Sequence, residues 1–278
     1  METNLKVGIT GSSGFIGKNL SEALISEGHR VIPLPRGFSS NNLGECDVVI
    51  NLAGASINQR WTKNNREKIL GSRVETTKKI TEYINNNTNI SLLINASAVG
   101  IYGNNTPESI FTEADTCYGD DFLASVCKQW EEAARSVDHL TRVAIIRLGV
   151  VISTKGGALP KMALPAKFGI STYIGEGTQP ISWIMLEDVI NAILFIIKND
   201  SISGTVNLTS PNYITNREMT SVIARKYKSI FTISIPEVIL RIIMGKASEV
   251  LTKGQKVLPN KLLKSGFSFT HPFFSRKN

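Results

Sequence analysis

Histidine and cysteine are scarce, with three of each in 278 residues. His29, His139 and His271 stand far apart, in no metal-ligand spacing, so a metal centre is not expected. Cys46, Cys117 and Cys127 form neither a disulfide framework nor a metal motif, which points to reduced thiols and a cytoplasmic setting. Long hydrophobic runs are missing too. The longest, near Val189–Ile197, is broken by Asn191 and bounded by charge, well short of the roughly 18–20 apolar residues of a membrane span. The N-terminus, METNLKVGIT, enters a strand with no apolar signal region. A membrane is therefore not expected among the partners. Acidic residues are the minority, 23 against 31 basic, giving a net charge of +8. The basic residues are dispersed, and the densest group is Arg225-Lys226-Tyr227-Lys228. No basic stripe with interleaved aromatics, zinc spacing or helix-turn-helix pattern accompanies them, so nucleic acid is not expected either. The charge fits solvated faces and binding of a small polyanion. No internal repeat is present, and no low-complexity run beyond the turn at Asn85–Asn87.

What is there is an ordinary globular composition, 42% hydrophobic and 19% charged, over a length that buries a core unaided. Its first two-thirds alternate strand and helix. Leu5–Thr10, Arg30–Leu34, Asp47–Leu52, Ser91–Ser97 and Arg142–Ile152 read as strands. Phe15–Glu27, Asn64–Asn85 and Asp121–Val137 carry apolar residues at helical spacing. Near-continuous apolar strands separated by helices predict an α/β fold, a Rossmann-like doubly wound parallel sheet covered on both faces. After Ile152 the chain is rich in glycine and proline, with a short helix near Ala158–Phe168. Ile181–Ile184, a helix over Glu187–Lys198 and a strand over Thr205–Leu208 read as a return to the sheet. From Ser210 onwards short helices broken by proline and glycine read as a small, mainly helical domain. The expected division is residues 1–155 with 181–209 for a dinucleotide domain, and 156–180 with 210–278 for a smaller substrate-side domain.

Gly11-Ser12-Ser13-Gly14-Phe15-Ile16-Gly17 lies between the first strand and the first helix. The first glycine permits a tight turn, the second lets backbone approach a pyrophosphate, and the third lets helix pack on strand. The helix N-terminus then offers N–H groups and partial positive charge to phosphates. A glycine triplet alone is a weak signal; one that ends a strand and opens a helix of a βαβ unit predicts dinucleotide binding. About 20 residues on, an acidic residue would read the 2′-hydroxyl of NAD. Here stand Pro35-Arg36-Gly37, with no carboxylate before Glu45. Arg36 suits a 2′-phosphate, so NADP(H) is the expected cofactor, against the plainer reading of a solvated arginine at a strand end.

The run GSSGFIG, then Asp47 leading into Asn51-Leu52-Ala53-Gly54, then Asn95–Gly103 (NASAVGIYG), resembles the extended short-chain dehydrogenase/reductases, the class of NAD-dependent epimerases and dehydratases. ILGSRVETTK (Ile69–Lys78), DDFLASVCKQWEEAA (Asp120–Ala134), RLGVVIS with GGALPKM (Arg147–Met162), ISWIMLEDV (Ile181–Val189) and the tail Gly254–Pro272 narrow it to the atypical "epimerase family protein" group, whose C-terminal domain has no assigned function. The resemblance spans nearly the whole chain. It implies a Rossmann domain for NADP(H), with Pro35, Arg36, Leu52, Ala53, Arg73 and Val151 lining the cofactor and the C-terminal domain closing a substrate cleft. On the residues alone, Leu52-Ala53-Gly54 would leave room for a ribose at a strand's carboxyl edge, or simply end a buried strand. Arg73 by itself reads as a surface arginine, and Trp183 as a core or cleft-wall aromatic.

The chemistry of that class rests on a serine, a tyrosine acid/base and a lysine one helical turn after the tyrosine. Ser97 stands at the end of the fourth strand, where the serine is expected. The pair is missing: no tyrosine in the chain is followed by lysine four residues on. Aligning the helix on Trp130-Glu131 puts Leu123 and Cys127 in the pair's places; sliding by one puts Ala124 and Lys128 there. Tyr102 and Tyr118 are the nearby phenols. Where relatives usually carry histidine stands Met185, which cannot exchange a proton. Two readings stay open. One is an NADP(H)-dependent oxidoreductase or epimerase on a nucleotide-sugar-like or other small polar substrate, with Ser97 and Tyr102 as its catalytic residues. The other is a non-catalytic NADP(H)-binding sensor or scaffold that acts through a protein partner. Homodimerisation is left open as well.

Overall fold

The computed structural model describes residues 4–275 apart from 88, 104–108 and 139, so His139 lies outside the described residues. Strands β1 (Lys6–Thr10), β2 (Arg30–Leu34), β3 (Val48–Asn51), β4 (Leu92–Ala98) and β5 (Arg142–Leu148) alternate with helices α1 (Phe15–Ser26), α2 (Lys63–Asn85) and α3 (Phe122–Arg135). After β5 the chain leaves through β6 (Val150–Ser153), β7 (Ile170–Ile174) and β8 (Trp183–Met185). It returns by α4 (Leu186–Lys198) and β9 (Gly204–Leu208). The main sheet has the order β9-β5-β4-β3-β1-β2, and every pairing in it is parallel.

The residues explain the layers. All four residues of β3 are buried, as are the last four of β1, so both faces of the sheet must be covered. Val7, Ile9, Ile50 and Ile94 pack on Leu20 and Leu24 of α1 and Ile193 of α4. Val49 and Leu93 point the other way, onto Ile80 and Ile84 of α2. Because β2 and β3 lie on opposite sides of β1, the connections diverge there. A crevice therefore opens outside the carboxyl ends of β1 and β3, which is where ligands bind in such sheets.

Three expectations need correction. The run Arg142–Ile152 is two strands, not one. At Gly149 the chain crosses from β5 to β6; its N–H donates to Leu208 (3.0 Å), the Val150 N–H donates to Ser182 (2.8 Å), and a side chain at 149 would sit 2.6 Å from the Ser182 carbonyl. The segment around Trp183 pairs with β6 as β8 and does not rejoin the main sheet; α4 and β9 do. Beyond Ser210 the chain is not only short helices. α5 (Asn216–Tyr227) runs 12 residues from a Thr215–Glu218 capping box, and β10 (Phe231–Ile235) pairs in parallel with β7. The β-branched sequence FTISI finds its partner 61 positions back, a pairing that local pattern does not reveal. A short helix, α6 (Glu237–Met244), follows.

Candidate functional site

The loop after β1 is shaped by its glycines. Gly11 takes φ +69°, and a side chain there would lie 2.8 Å from the Leu52 carbonyl. At Gly17 a Cβ would fall 2.2 Å from the Gly11 carbonyl, so helix and loop meet only because it is absent. Gly14 differs: a Cβ would touch only the Gly11 carbonyl, at 3.1 Å, and the space beyond is clear. α1 begins there with no acidic residue in its first turn, leaving its positive end uncompensated. Ser13 is exposed, while Ile16, Leu52 and Val151 are partly buried and each packs against the core. Phe15 lies under a glycine pair; a Cβ on Gly156 would come within 2.6 Å of its ring.

Arg36 is exposed in a turn at the carboxyl end of β2, closed by the Phe38 N–H on Pro35 (3.0 Å) with Gly37 at φ +79°. Glu45 pairs instead with Arg30, at the other end of β2, at 3.6 Å. Beside the crevice, Thr10 Oγ1 accepts the N–H groups of Leu52 and Ala53 at 3.1 and 3.2 Å. The Ala55 N–H donates to Ser72 of α2 (2.9 Å), and Arg73 Nη1 donates to the carbonyls of Ala55 (3.1 Å) and Ile69 (2.9 Å). Gly54 presses on that guanidinium, which also lies 5.2 Å from the Trp130 ring centre. Arg73 is thus half-buried floor, not open surface, and burial lowers its pKa. An open helix end over Gly14, a clear approach to backbone and a strand-end arginine with no partner among the described residues together fit a dinucleotide phosphate.

The hydroxyls expected to do chemistry are elsewhere engaged. Ser97 donates to Glu131 Oε1 at 2.7 Å, and both residues are buried. Arg147, fully buried, forks onto the same carboxylate with Nε on Oε1 (2.7 Å) and Nη2 on Oε2 (2.8 Å). Its Nη1 donates to the Tyr102 hydroxyl (2.8 Å), and Nη2 also reaches the Tyr118 hydroxyl (3.1 Å). Tyr102 donates onward within reach of the Thr112 carbonyl (2.8 Å) and Asn207 Oδ1 (3.0 Å). Burial pushes its phenol up to about 12, so it stays neutral at working pH. Burial would raise Glu131, but the bonds from Arg147 and Ser97 win and hold it below the usual carboxylate range.

Both alignments of the missing pair fall on α3. Leu123, Cys127 and Glu131 lie one helical turn apart on its inner stripe, with Cys127 and Glu131 buried, whereas Lys128 is exposed. Cys127 packs with Val99, Ile101 and Tyr102, and burial pushes its thiol up to about 11. Met185 is buried, and Trp183 is core, edge-on to Phe274 with ring centres 5.3 Å apart. A second network went unread. Thr10 donates to Asn51 (2.6 Å), whose amide donates to Asn95 (2.6 Å) and Thr77 (2.8 Å), while Trp130 donates to Thr77 (3.0 Å). This buried ladder ties the carboxyl ends of β1, β3 and β4 to both helices beneath the crevice. The repeated Ile-Asn at 50–51 and 94–95 was its sequence signal.

Residues 7–209 match the NAD dependent epimerase/dehydratase family, and residues 235–273 match a domain of unknown function, DUF1731. The chain belongs to that epimerase/dehydratase family. It is 35% identical to the epimerase family protein YfhF of Bacillus subtilis, with 96% of this chain and 94% of the relative covered. Among solved structures, human epimerase family protein SDR39U1 with NADPH superposes with a TM-score of 0.91 at 28% identity, covering 98% and 97% of the two chains. A nucleoside-diphosphate sugar epimerase from Corynebacterium glutamicum gives 0.81 at 31% identity, over 98% of this chain and 57% of that one. An NAD(P)-binding short-chain dehydrogenase/reductase fold follows for this family member.

Proposed function

We propose that this family member binds NADP(H) across the β1–α1 loop and acts as an oxidoreductase on a nucleotide-sugar-like or other small polar substrate, without a tyrosine–lysine acid/base pair. Bound there, the cofactor would supply or accept a hydride. The observation that carries the reading is the cradle: clear space over Gly14, an acid-free helix start, and Arg36 where a carboxylate would select NAD. The NADPH in the human relative supports the same choice. Loop backbone and α1 hold the pyrophosphate, Arg36 the 2′-phosphate, Leu52–Gly54 the ribose edge, and Val151 with Ile16 an apolar wall. Arg60, beyond β3, ties to the small domain by donating to the Ile243 (3.0 Å) and Ile242 (2.7 Å) carbonyls at the end of α6. Three unpaired cysteines support a reducing, cytoplasmic setting.

With Leu123 and Cys127 on the helix stripe, proton transfer lacks a contribution commonly worth about 10²- to 10⁴-fold, so turnover is expected to be slow. A second reading, an NADP(H) sensor or scaffold, is favoured by one observation: Ser97 and Tyr102 spend their hydroxyls inside the Glu131–Arg147 network. Calorimetric titration with NADPH and NADH, followed by a turnover screen with nucleotide sugars and small carbonyls, tests both. Equal affinity for the two cofactors refutes the NADP(H) assignment. Tight NADPH binding with no turnover on any substrate moves the protein to the sensor reading. Slow turnover that survives Ser97→Ala and Tyr102→Phe supports the oxidoreductase reading and removes both residues from the chemistry.

A further inference from the structure

On the small domain the chain exposes side chains that a soluble surface ordinarily hides. A short helical turn, Pro165–Phe168, ends at Gly169 in the left-handed conformation, and Phe168 at its tip is 80% exposed. The Gly169 carbonyl accepts the N–H groups of both Ile230 (2.7 Å) and Phe231 (3.1 Å), which fixes those residues beside the tip. Ile230 is 78% exposed and Phe231 64% exposed, with Ile170 and Leu164 also open to solvent. Two aromatics and three aliphatics converging from two segments make one apolar tip rather than the scattered exposed residues that are normal.

The charge around the tip is of one sign. Residues 159–175 and 219–236, the segments that carry it, contain no aspartate or glutamate. Lys161 and Lys167 flank Leu164 and Phe168, and Lys228, in the left-handed conformation, immediately precedes Ser229-Ile230. All three lysines are exposed. The nearest carboxylates in sequence are Glu218, in the first turn of α5 at its opposite end, Glu176, beyond the far end of β7, and Glu237, beyond the far end of β10. Phenylalanine and isoleucine at the apex with lysines around them is the composition of a surface that rests in the headgroup region of a bilayer. A second protein copy would instead bring the same lysines against each other, a like-charge juxtaposition.

We propose that this tip, Leu164, Phe168, Ile170, Ile230 and Phe231 ringed by Lys161, Lys167 and Lys228, docks the protein reversibly on an anionic lipid surface. No described helix is long and apolar enough to cross a membrane, and the docking needs none. Apolar insertion of a few side chains is marginal by itself, so the lysines contribute a necessary second attraction, which salt screens.

The test is co-sedimentation of the full-length protein with phosphatidylcholine vesicles, with and without phosphatidylglycerol, at low and high salt. Binding that requires phosphatidylglycerol and falls with salt is expected. Lys161→Ala/Lys167→Ala/Lys228→Ala should weaken it by about a hundredfold, at about fivefold for each charge removed. Phe168→Ser/Phe231→Ser should abolish it while leaving the thermal midpoint unchanged, because both side chains are exposed. Absence of wild-type binding to anionic vesicles overturns the proposal. So does a wild-type dimer in sedimentation velocity that Phe168→Ser/Phe231→Ser converts to monomer, since a second copy then covers the tip.

Discussion

Gly14 and Gly17 stand three residues apart, yet a side chain meets a different obstacle at each. At Gly14 the backbone is extended (φ −74°, ψ 172°), which any residue adopts, and the room for a side chain is the room a pyrophosphate needs. Gly14→Val keeps an allowed backbone but sets a Cβ 3.1 Å from the Gly11 carbonyl, so it is expected to fold with a modestly lowered thermal midpoint and to lose NADPH affinity. Gly17→Val drives a Cβ into the Gly11 carbonyl 2.2 Å away, so it should destabilise the fold itself, by about 1–3 kcal/mol or more. Normal NADPH binding by folded Gly14→Val protein would place the phosphate elsewhere. Arg36 gives the matching prediction for selectivity. Arg36→Asp removes a charged hydrogen-bond donor to the 2′-phosphate worth about 1.5–3 kcal/mol. Calorimetry should show NADPH affinity falling about 10- to 100-fold, with NADH affinity holding or rising. A parallel loss for both cofactors would mean that Arg36 does not read the 2′ position.

At the scale of elements, the strand, glycine loop and helix of the proposed phosphate site were legible as structure because their signal is local: glycine spacing, a strand before, a helix after. The chemistry at the end of β4 was not. Side chains on a strand alternate faces, and the apolar pattern alone does not say which way Ser97 points. What holds Ser97 inward is Glu131, 34 residues later, and Arg147, 16 residues after that; neither is visible as a pair in sequence. The fork also makes a pH prediction. Glu131 has a folded-state pKa below its unfolded value, so its contribution is fully present above the ordinary carboxylate pKa of about 4.3. It is lost as pH falls through that value and on through the lower folded pKa. Removing one member of a buried pair typically costs about 3–5 kcal/mol, so Glu131→Gln should be markedly less stable at neutral pH. Its stability should also vary less between pH 6 and 3 than the wild type's, pH values chosen to straddle the ordinary carboxylate pKa of about 4.3. Denaturant unfolding across that range with identical pH slopes for both proteins would show that Glu131 does not titrate on unfolding.

For the whole molecule, the question is what keeps the small domain against the sheet. Ser182 donates to the Gln255 carbonyl (2.7 Å) and accepts the Val257 N–H (2.9 Å), and the strand at Lys256–Val257 pairs with Ile110–Phe111. The C-terminal tail then returns to the core. Phe267 and Phe269 pack edge to face beside Phe195 of α4, and the buried Asp188 carboxylate accepts the N–H groups of Thr270 (2.7 Å) and His271 (3.0 Å). Because Asp188 sits in the first turn of α4, its charge also meets the positive helix end. Asp188→Ala leaves two N–H groups without their acceptor, each hydrogen bond to a charged group being worth about 1.5–3 kcal/mol. A loss of about 3 kcal/mol corresponds to a fall in thermal midpoint of about 6–12 °C in a chain of this size. The tail should then become a site of early proteolytic cleavage. The hydrogen bonds of Asp188 go to the tail and not to the residues proposed to hold the cofactor, so NADPH affinity should change less than twofold, and saturating NADPH should raise the midpoint of variant and wild type alike. If Asp188→Ala instead abolishes NADPH binding while the sheet stays folded by circular dichroism, the tail is part of the cofactor site, and the small domain does more than close over it.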